Sequence, residues 1–331
     1  MVGFYGQLFR MVVVLVAAAG MSSVALAGTA TGHSNGFGNM GRGIVPNRAS
    51  GTVVYDDIQE VPLKNGGTGI SSYIPSEGFE CCSVSEFGDG LVLSQAGGTL
   101  KDITVVFDSW ACYQGNGTDG SCSTPHGATF SQPITVSVYA VNTSCVSPGC
   151  PPGPLLVRIP FTKSIKYRPS ANPRCDTPPP SGSPPSYGTV GGFIDHVSKE
   201  CVFGIADAVT FNMSTPRTNN LPSEIVVTVA FNTTTWGYAP IGQNAPCFTA
   251  GNDPPGSDQC PYDSLNVSAA EAPPGSPPSY TMVGSFLDPG GVFVNFADSA
   301  FYCQTYSPTD ILLLDGQCWT GYHPEIEVTT F

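Results

Sequence analysis

The chain has 331 residues, of which 41% are hydrophobic and 11% are charged, and its formal net charge is −13. Nucleic acid and anionic membrane surfaces are not expected partners of so acidic a chain. The length allows two domains, although an all-β sandwich of about 200 to 250 residues often forms one.

The first 27 residues have the features of a secretory signal peptide. A single charge at Arg10 precedes an apolar run from Met11 to Met21, and Ala25 and Ala27 have the spacing of a cleavage site. The run is shorter than the roughly 20 residues of a membrane span. We therefore expect a secreted, extracellular protein of 11 basic and 25 acidic residues with no membrane span. The C-terminal "GYHPEIEVTTF" has no hydrophobic tail or sorting site, so no anchor is predicted.

Residues 28–51 are crowded with Gly, Asn and Ser and are interpreted as a flexible leader. About ten runs of β type follow, bounded by Gly, Pro, Asn and Asp: "TVVYDDI", "LVLS", "TLKDITVVFDSW", "ITVSVYAVN", "LLVRIPFTKSIKY", "CVFGIADAVTFNM", "EIVVTVAFNTTTWGY", "SLNVSA", "GVFVNF" and "EIEVTTF". This pattern, with no amphipathic helix between the runs, predicts an all-β fold: an antiparallel β-sandwich, jelly-roll-like, as one domain over residues 52–331. Alternation in the runs at 100–110 and 224–231 predicts that each buries one side.

The hexapeptide "GSPPSY" occurs at Gly182–Tyr187 and again at Gly275–Tyr280. Similarity continues for about 25 residues in all, which is too few for a duplicated domain. Strand-like residues follow both copies at once, which argues against a domain linker. We interpret the Pro-rich segments near 176–188 and 272–280 as stiff surface loops that each lead into a strand of one sandwich.

Twelve cysteines, an even number in a predicted exported chain, indicate disulfides. Five pairs are close in sequence and straddle predicted turns: Cys112 with Cys122, Cys145 with Cys150, Cys175 with Cys201, Cys247 with Cys260, and Cys303 with Cys318. The vicinal Cys81 and Cys82 remain. Either they form a strained bridge, or one local pair is wrong and they take separate partners. The second is favoured, because adjacent strand residues point to opposite faces.

Several stretches resemble a group of secreted proteins, mostly bacterial, of unknown role: "VVYDDI", "SEFGDGLVLSQAGGTLKDITVVFDSWAC", "ATFSQPITVSVYAV", "IKYRPSANPRC", "AFNTTTWGYAPIG" and "CPYDSLNVS". The resemblance spans roughly residues 53–331. It implies a secreted β-sandwich and supplies no catalytic residues.

No motif for catalysis or for a cofactor is found. The histidines, His33, His126, His196 and His323, lie outside any HExxH pattern, and no GxxxxGK[ST] loop is present. The segment "GHSNG" at 32–36 matches GxSxG in letters only, and "GFGNMG" at 36–41 and "GNGTDG" at 115–120 match GxGxxG in letters only, because none of them lies between a predicted strand and a predicted helix, as those motifs require. A triad built on His126 or His196 is recognisable only by geometry. Calcium at Asp253, Asp258 or Asp288 is disfavoured, because Asp in a turn usually caps its own backbone. We therefore predict no catalytic residue, metal or cofactor.

Two segments, "TWGYAP" and "WTGYHP", each have a Trp shortly before Gly, Tyr, one residue and Pro, and are candidate aromatic platforms for glycans: Trp236 with Tyr238, and Trp319 with Tyr322. Large aromatics near strand ends more often close a core, and this interpretation is favoured. The same applies to Trp110 and Tyr113.

Five N-glycosylation sequons begin at Asn116, Asn142, Asn212, Asn232 and Asn266. They would be glycan acceptors in a eukaryotic host, whereas in a bacterial host they are coincidental.

These observations favour a non-catalytic extracellular or cell-surface protein that binds extracellular glycans or has a structural role. The alternative is an extracellular hydrolase or lyase that acts on polysaccharide through carboxylates in a cleft.

Overall fold

The structure is a computed structural model of the chain. It describes residues 40–41, 51–62, 68–70, 76–78, 86–115, 117, 120–145, 147–177, 190–196, 199–231, 265–271, 280–295, 311–315 and 321–331. The predicted signal peptide and both GSPPSY loops up to residues 189 and 279 lie outside these ranges.

The described residues are almost entirely β. In chain order the strands are β1 (Met40–Gly41), β2 (Thr52–Asp56), β3 (Glu60–Pro62), β4 (Thr68–Ile70), β5 (Ser76–Gly78), β6 (Glu86–Val92), β7 (Leu100–Ser109), β8 (Thr129–Ala140), β9 (Leu155–Lys166), β10 (Phe193–Ile194), β11 (Cys201–Val202), β12 (Gly204–Asn212), β13 (Glu224–Ala230), β14 (Leu265–Glu271), β15 (Ser285–Phe286), β16 (Val292–Asn295), β17 (Leu312–Asp315), β18 (Tyr322–Pro324) and β19 (Ile326–Thr330). A 3-10 turn spans Pro173–Cys175. Each of the predicted runs overlaps at least one of these strands.

Two large sheets pack face to face and confirm the predicted antiparallel β-sandwich. In the eight-stranded sheet, β7 pairs with β12 along one edge, while β14 and β19 share its other edge. The seven-stranded sheet has the order β17-β16-β6-β13-β8-β9, with β15 also paired to β6. Strand β19 pairs with β2, so the first long run and the last run of the described sandwich lie side by side.

One apolar cluster fills the space between the sheets and includes residues from Val54 to Val328. The alternation predicted for β7 and β13 is present, because Ile103, Val105 and Phe107 all belong to this cluster. Both strands also bury their outer side, contrary to the expectation of one buried side each. Val106 packs under the β3–β4 hairpin in a second cluster with Ile70, and Val226 packs in a third with Phe293.

Three of the predicted disulfides are confirmed: Cys112–Cys122, Cys145–Cys150 and Cys175–Cys201, with Cα–Cα distances of 5.5, 5.6 and 5.4 Å. The pairs Cys247–Cys260 and Cys303–Cys318, together with Cys81 and Cys82, lie outside the described residues and stay predictions.

Among the sequons, Asn266 is fully buried in β14, whereas Asn212 is exposed. A glycan attached to Asn266 would have no room in the folded sandwich, so this sequon is incompatible with modification of the native protein.

The two segments that follow the GSPPSY loops share a left-handed glycine and a short strand, although the strands pair in different sheets. Gly191 and Gly284 both adopt a positive φ, of 88° and 81°. Two residues later, Phe193 and Phe286 each form part of a two-residue strand and are buried. The duplicated sequence therefore encodes a local turn and strand, placed at two separate positions on one sandwich.

Replacing Gly284 by Ala tests this turn. A Cβ atom there would lie 2.5 Å from the Val92 carbonyl oxygen, whereas at Gly97, whose φ is 85°, it would meet nothing within 4 Å. We expect Gly97→Ala to lower the free energy of unfolding by about 1 kcal/mol, the cost of a left-handed residue. Gly284→Ala should cost at least about 2 kcal/mol more, because the backbone must shift. Urea unfolding with intact disulfides measures both, and equal losses would contradict the close contact.

Candidate functional site

A buried hydrogen bond between His323 and Asp89 joins the two sheets. Asp89 lies in β6 of the seven-stranded sheet, with its side chain on the same inner face as Phe87 and Leu91. His323 lies in β18 of the opposite sheet. The His323 Nδ1 and Asp89 Oδ2 atoms are 2.7 Å apart, and both side chains are at most 1% exposed. Phe286 stacks on the imidazole, with ring centroids 3.7 Å apart.

Both ring nitrogens of His323 have partners. Its Nε2 lies 3.4 Å from the carbonyl oxygen of Pro289, and its Nδ1 faces Asp89. The two side chains therefore satisfy each other in the interior. Burial raises the pKa of Asp89, and this is partly opposed by His323 and by the Gly90 N–H that donates to Asp89 Oδ1.

Two more fully buried carboxyl groups lie near this pair. Asp57 Oδ1 accepts the backbone N–H of Ile326, and the oxygens of Glu325 accept from the Gln59 N–H and the Ser268 hydroxyl. Burial raises the pKa of Asp57 well above its usual value and raises that of Glu325 to about 7. The neutral acid form of Glu325 is therefore favoured in mildly acidic solution, and burial shifts Asp57 in the same direction.

Two tyrosines belong to the same interior region. Burial, followed by the charge of Asp57, raises the pKa values of Tyr55 and Tyr280. Tyr280 is the last residue of the second GSPPSY copy, and Val283 just beyond it exchanges two backbone hydrogen bonds with Asp56. The second repeat is thereby joined to the end of β2.

A cavity of about 350 Å³ lies on the outer face of the seven-stranded sheet, beside the third apolar cluster, which contains Val226 and Phe293. Its apolar floor consists of Val141, Phe293 and Leu314. The loop closed by Cys145–Cys150 forms one wall and is held to β17 by two hydrogen bonds with the backbone of Leu314, each 2.8 Å long. The turn at 287–291 forms another wall.

That turn presents one carboxylate to the cavity. Asp288 Oδ1 accepts the N–H of Gly290 at 2.9 Å, the usual turn-capping bond, while Oδ2 has no hydrogen-bond partner among the described residues. Asp89 also lines the cavity, but its carboxyl group lies on the inner face and its two oxygens are taken by His323 and Gly90. Asp89 therefore contributes backbone to the cavity wall.

Asn142 stands at the rim. Its Oδ1 accepts the N–H of Ser144 at 3.2 Å, and its Nδ2 donates to the Pro151 carbonyl at 3.4 Å. An amide group has two N–H donors and two acceptor sites. One donor and one acceptor position of Asn142 thus remain for a ligand.

Of the four predicted platform residues, Tyr322 is described, and Trp236, Tyr238 and Trp319 lie outside the described ranges. Tyr322 is partly buried and packs against the main core. Trp110 is 2% exposed and belongs to that core, whereas Tyr113 is 41% exposed and packs edge-on against Tyr167.

The His and Asp residues that the sequence analysis considered for a catalytic triad or for calcium do not form a site among the described residues. His126 and His196 are exposed, and neither ring makes a hydrogen bond to a carboxylate in the part of the chain that the structure describes. Asp253 and Asp258 lie outside that part. Within it, no group of three or more His, Cys, Asp or Glu side chains is arranged to hold a metal ion.

Sequence reasoning did not single out Asp57, Asp89, His323 and Glu325 as a site. A signal for them exists: each is an ionisable residue inside or next to a short apolar strand run, in "VVYDDI", "FGDGL" and "GYHPEIEV". Ionisable residues are almost never fully buried unless they are paired.

Comparison of the chain with family models, curated proteins and solved structures finds no match. None of the described segments forms a helix with the length and apolar character needed to cross a membrane.

The pKa of Glu325 predicts how stability depends on pH. Below its ordinary value of 4.5 the group is protonated in both the folded and unfolded states, and between 4.5 and about 7 the folded state binds more protons. The free energy of unfolding should therefore fall as pH rises through this range. The raised pKa values of Asp57 and Asp89 also make the free energy of unfolding fall as the pH rises.

Thermal unfolding of Glu325→Gln measures this effect. The variant should melt several degrees above the wild type at pH 8 and close to it at pH 4.5, because an amide cannot ionise. Glu224→Gln, at a partly exposed position in β13, is the matched control and should follow the wild type. A wild-type melting temperature that rises between pH 5 and 7.5 would be inconsistent with buried neutral acids.

Proposed function

We propose that this is an extracellular or cell-surface β-sandwich protein that binds glycans without catalysis, in the cavity between the Cys145–Cys150 loop and the turn at 287–291. The observation that carries the proposal is the combination of an apolar floor with hydrogen-bonding groups at the rim. Ligand sites typically have volumes of about 300 to 1,000 Å³ and a few placed polar groups on apolar walls. A cavity at the small end of this range suits one or two sugar rings.

Sugar chemistry matches this lining. A pyranose ring has an apolar C–H face, which can lie against Phe293 and Leu314, and hydroxyl groups around its edge. Asp288 Oδ2 can accept from those hydroxyls, and the Asn142 amide can donate to them. Both polar groups are already oriented by hydrogen bonds within their own turns, which lowers the entropy lost on binding.

An extracellular location is supported by the three disulfides, because such bonds persist in oxidising compartments. The signal-peptide pattern of the first 27 residues and the resemblance to secreted proteins point in the same direction.

The hydrolase or lyase alternative is less well supported. A glycosidase places two carboxyl groups on either side of the bond that it cleaves. The cavity receives one carboxylate from the described residues, that of Asp288, while Asp57 and Glu325 are enclosed in the interior. Binding without bond cleavage is the function that this geometry supports best.

Filling the mouth of the cavity tests the proposal. Asn142→Trp should abolish retention on the polysaccharides that the wild type binds, in a screen of immobilised glycans. Asn212→Trp is the matched control, because Asn212 is exposed and makes the same turn hydrogen bond, here to Ser214, on the other sheet. The control should bind as the wild type does.

Two results would contradict the proposal. One is a complete lack of glycan binding by the wild type. The other is binding that survives Asn142→Trp but is lost in Trp236→Ala or Trp319→Ala, which would place the site at the aromatic segments.

A further inference from the structure

We propose that the cavity selects sugars with a free, protonated amino group, that is, hexosamine units such as glucosamine, over neutral and acidic sugars. This inference rests on the proposed glycan-binding function and names the ligand class. Its basis is the sign of the charge in the cavity, the free carboxylate oxygen of Asp288 and the shape of the floor.

The charge that the described residues bring to the cavity is negative. Among the described residues that line it there is no Lys, Arg or His, and Asp288 supplies a carboxylate. The chain as a whole carries −13. A uronic acid or sulfated sugar would meet uncompensated like charge, whereas an ammonium group gains Coulomb attraction in a partly desolvated site.

Asp288 is positioned to receive such a group. The Gly290 N–H holds Oδ1, and the Gly291 N–H donates to the Asp288 carbonyl at 3.2 Å, so the turn fixes the direction of the carboxylate. A Cβ at position 291 would lie 3.2 Å from Asp288 Oδ2. Glycine there leaves the free oxygen open to a ligand. A hydrogen bond between two charged groups is about twice as strong as a neutral one.

The rest of the cavity lining suits a ligand larger than an ammonium ion. A small inorganic cation would leave the floor of Val141, Phe293 and Leu314 uncovered, whereas a sugar ring buries it. The free N–H and acceptor position of Asn142 suit ring hydroxyls. An aminated pyranose satisfies the carboxylate, the amide and the apolar floor together.

Calorimetric titration of the full chain at pH 6 tests the inference with four probes: glucosamine, glucose, glucuronic acid and hexylamine. Glucosamine should bind about 10 to 100 times more tightly than glucose, the effect of one charge-assisted hydrogen bond. Glucuronic acid should bind more weakly than glucose. Raising the salt concentration should weaken glucosamine binding and leave glucose binding nearly unchanged.

Asp288→Asn should bring the glucosamine and glucose affinities together, because the amide keeps the shape of the side chain and removes its charge. Asp176→Asn is the matched control, since Asp176 also accepts a glycine N–H, from Gly191, at a site away from the cavity. It should keep the wild-type ratio. The salt dependence of the wild type gives the same information if Asp288→Asn fails to fold.

The outcomes separate this inference from the proposed function. Equal affinities for glucosamine and glucose would overturn the selectivity and leave glycan binding intact. Equal binding of hexylamine and glucosamine would show recognition of any ammonium group and would also overturn it. Absence of binding by all sugar probes would overturn the proposed function itself.

Discussion

The hydrogen bond between His323 and Asp89 is the constraint on which the cavity depends. It crosses the interior from one sheet to the other, and each partner also fixes part of the turn at 287–291. His323 Nε2 contacts the Pro289 carbonyl, and the residue after Asp89, Gly90, accepts the Leu287 N–H at 2.8 Å. The wall that presents Asp288 is thereby held from two sides. A pair deep in the core, which no ligand touches, positions the carboxylate that a ligand would meet.

Burying four ionisable groups in a β-sandwich is costly unless their charges are removed or paired. Here His323 and Asp89 are paired with each other, and burial shifts Asp57 and Glu325 toward their protonated forms. An apolar core of equal volume would be at least as stable. The polar arrangement fixes the relative placement of β2, β6, β18 and the second repeat, which is what an oriented cavity wall requires.

Much of the fold follows from local patterns in the sequence. The long runs such as "TLKDITVVFDSW" and "EIVVTVAF" have the alternation and β-branched content of strands, and the disulfides at 112–122, 145–150 and 175–201 follow from short loop spacing. Strands of two to four residues, such as β10 and β17, carry no periodic signal of their own and form because a neighbouring strand pairs with them. The outer burial of Val106 and Val226 likewise depends on which loops cover the sheets.

The candidate site could not be assembled from the sequence, because Asp89 and His323 are 234 positions apart and meet across two sheets. Alternation predicts that Asp89 shares a face with Phe87. Its partner His323, which compensates the cost of burying the carboxyl group, is known only from the packing of the two sheets. Asp288 was visible as a turn residue. Its free oxygen and the apolar floor beside it become evident only when β16, β17 and the disulfide loop are placed together.

Burial shifts the interior carboxyl groups beside the cavity toward their protonated forms, so among the described residues the carboxylate of Asp288 is the charge that a ligand in the cavity would meet. Carbon-13 NMR of the side-chain carboxyl carbons measures this directly. At pH 6 the resonance of Glu325 should have the chemical shift of a protonated acid and should change with a midpoint near pH 7, and the midpoint for Asp57 should lie above that of an ordinary aspartate. A fully ionised shift for Glu325 at pH 6, together with an ordinary midpoint for Asp57, would contradict the raised pKa values.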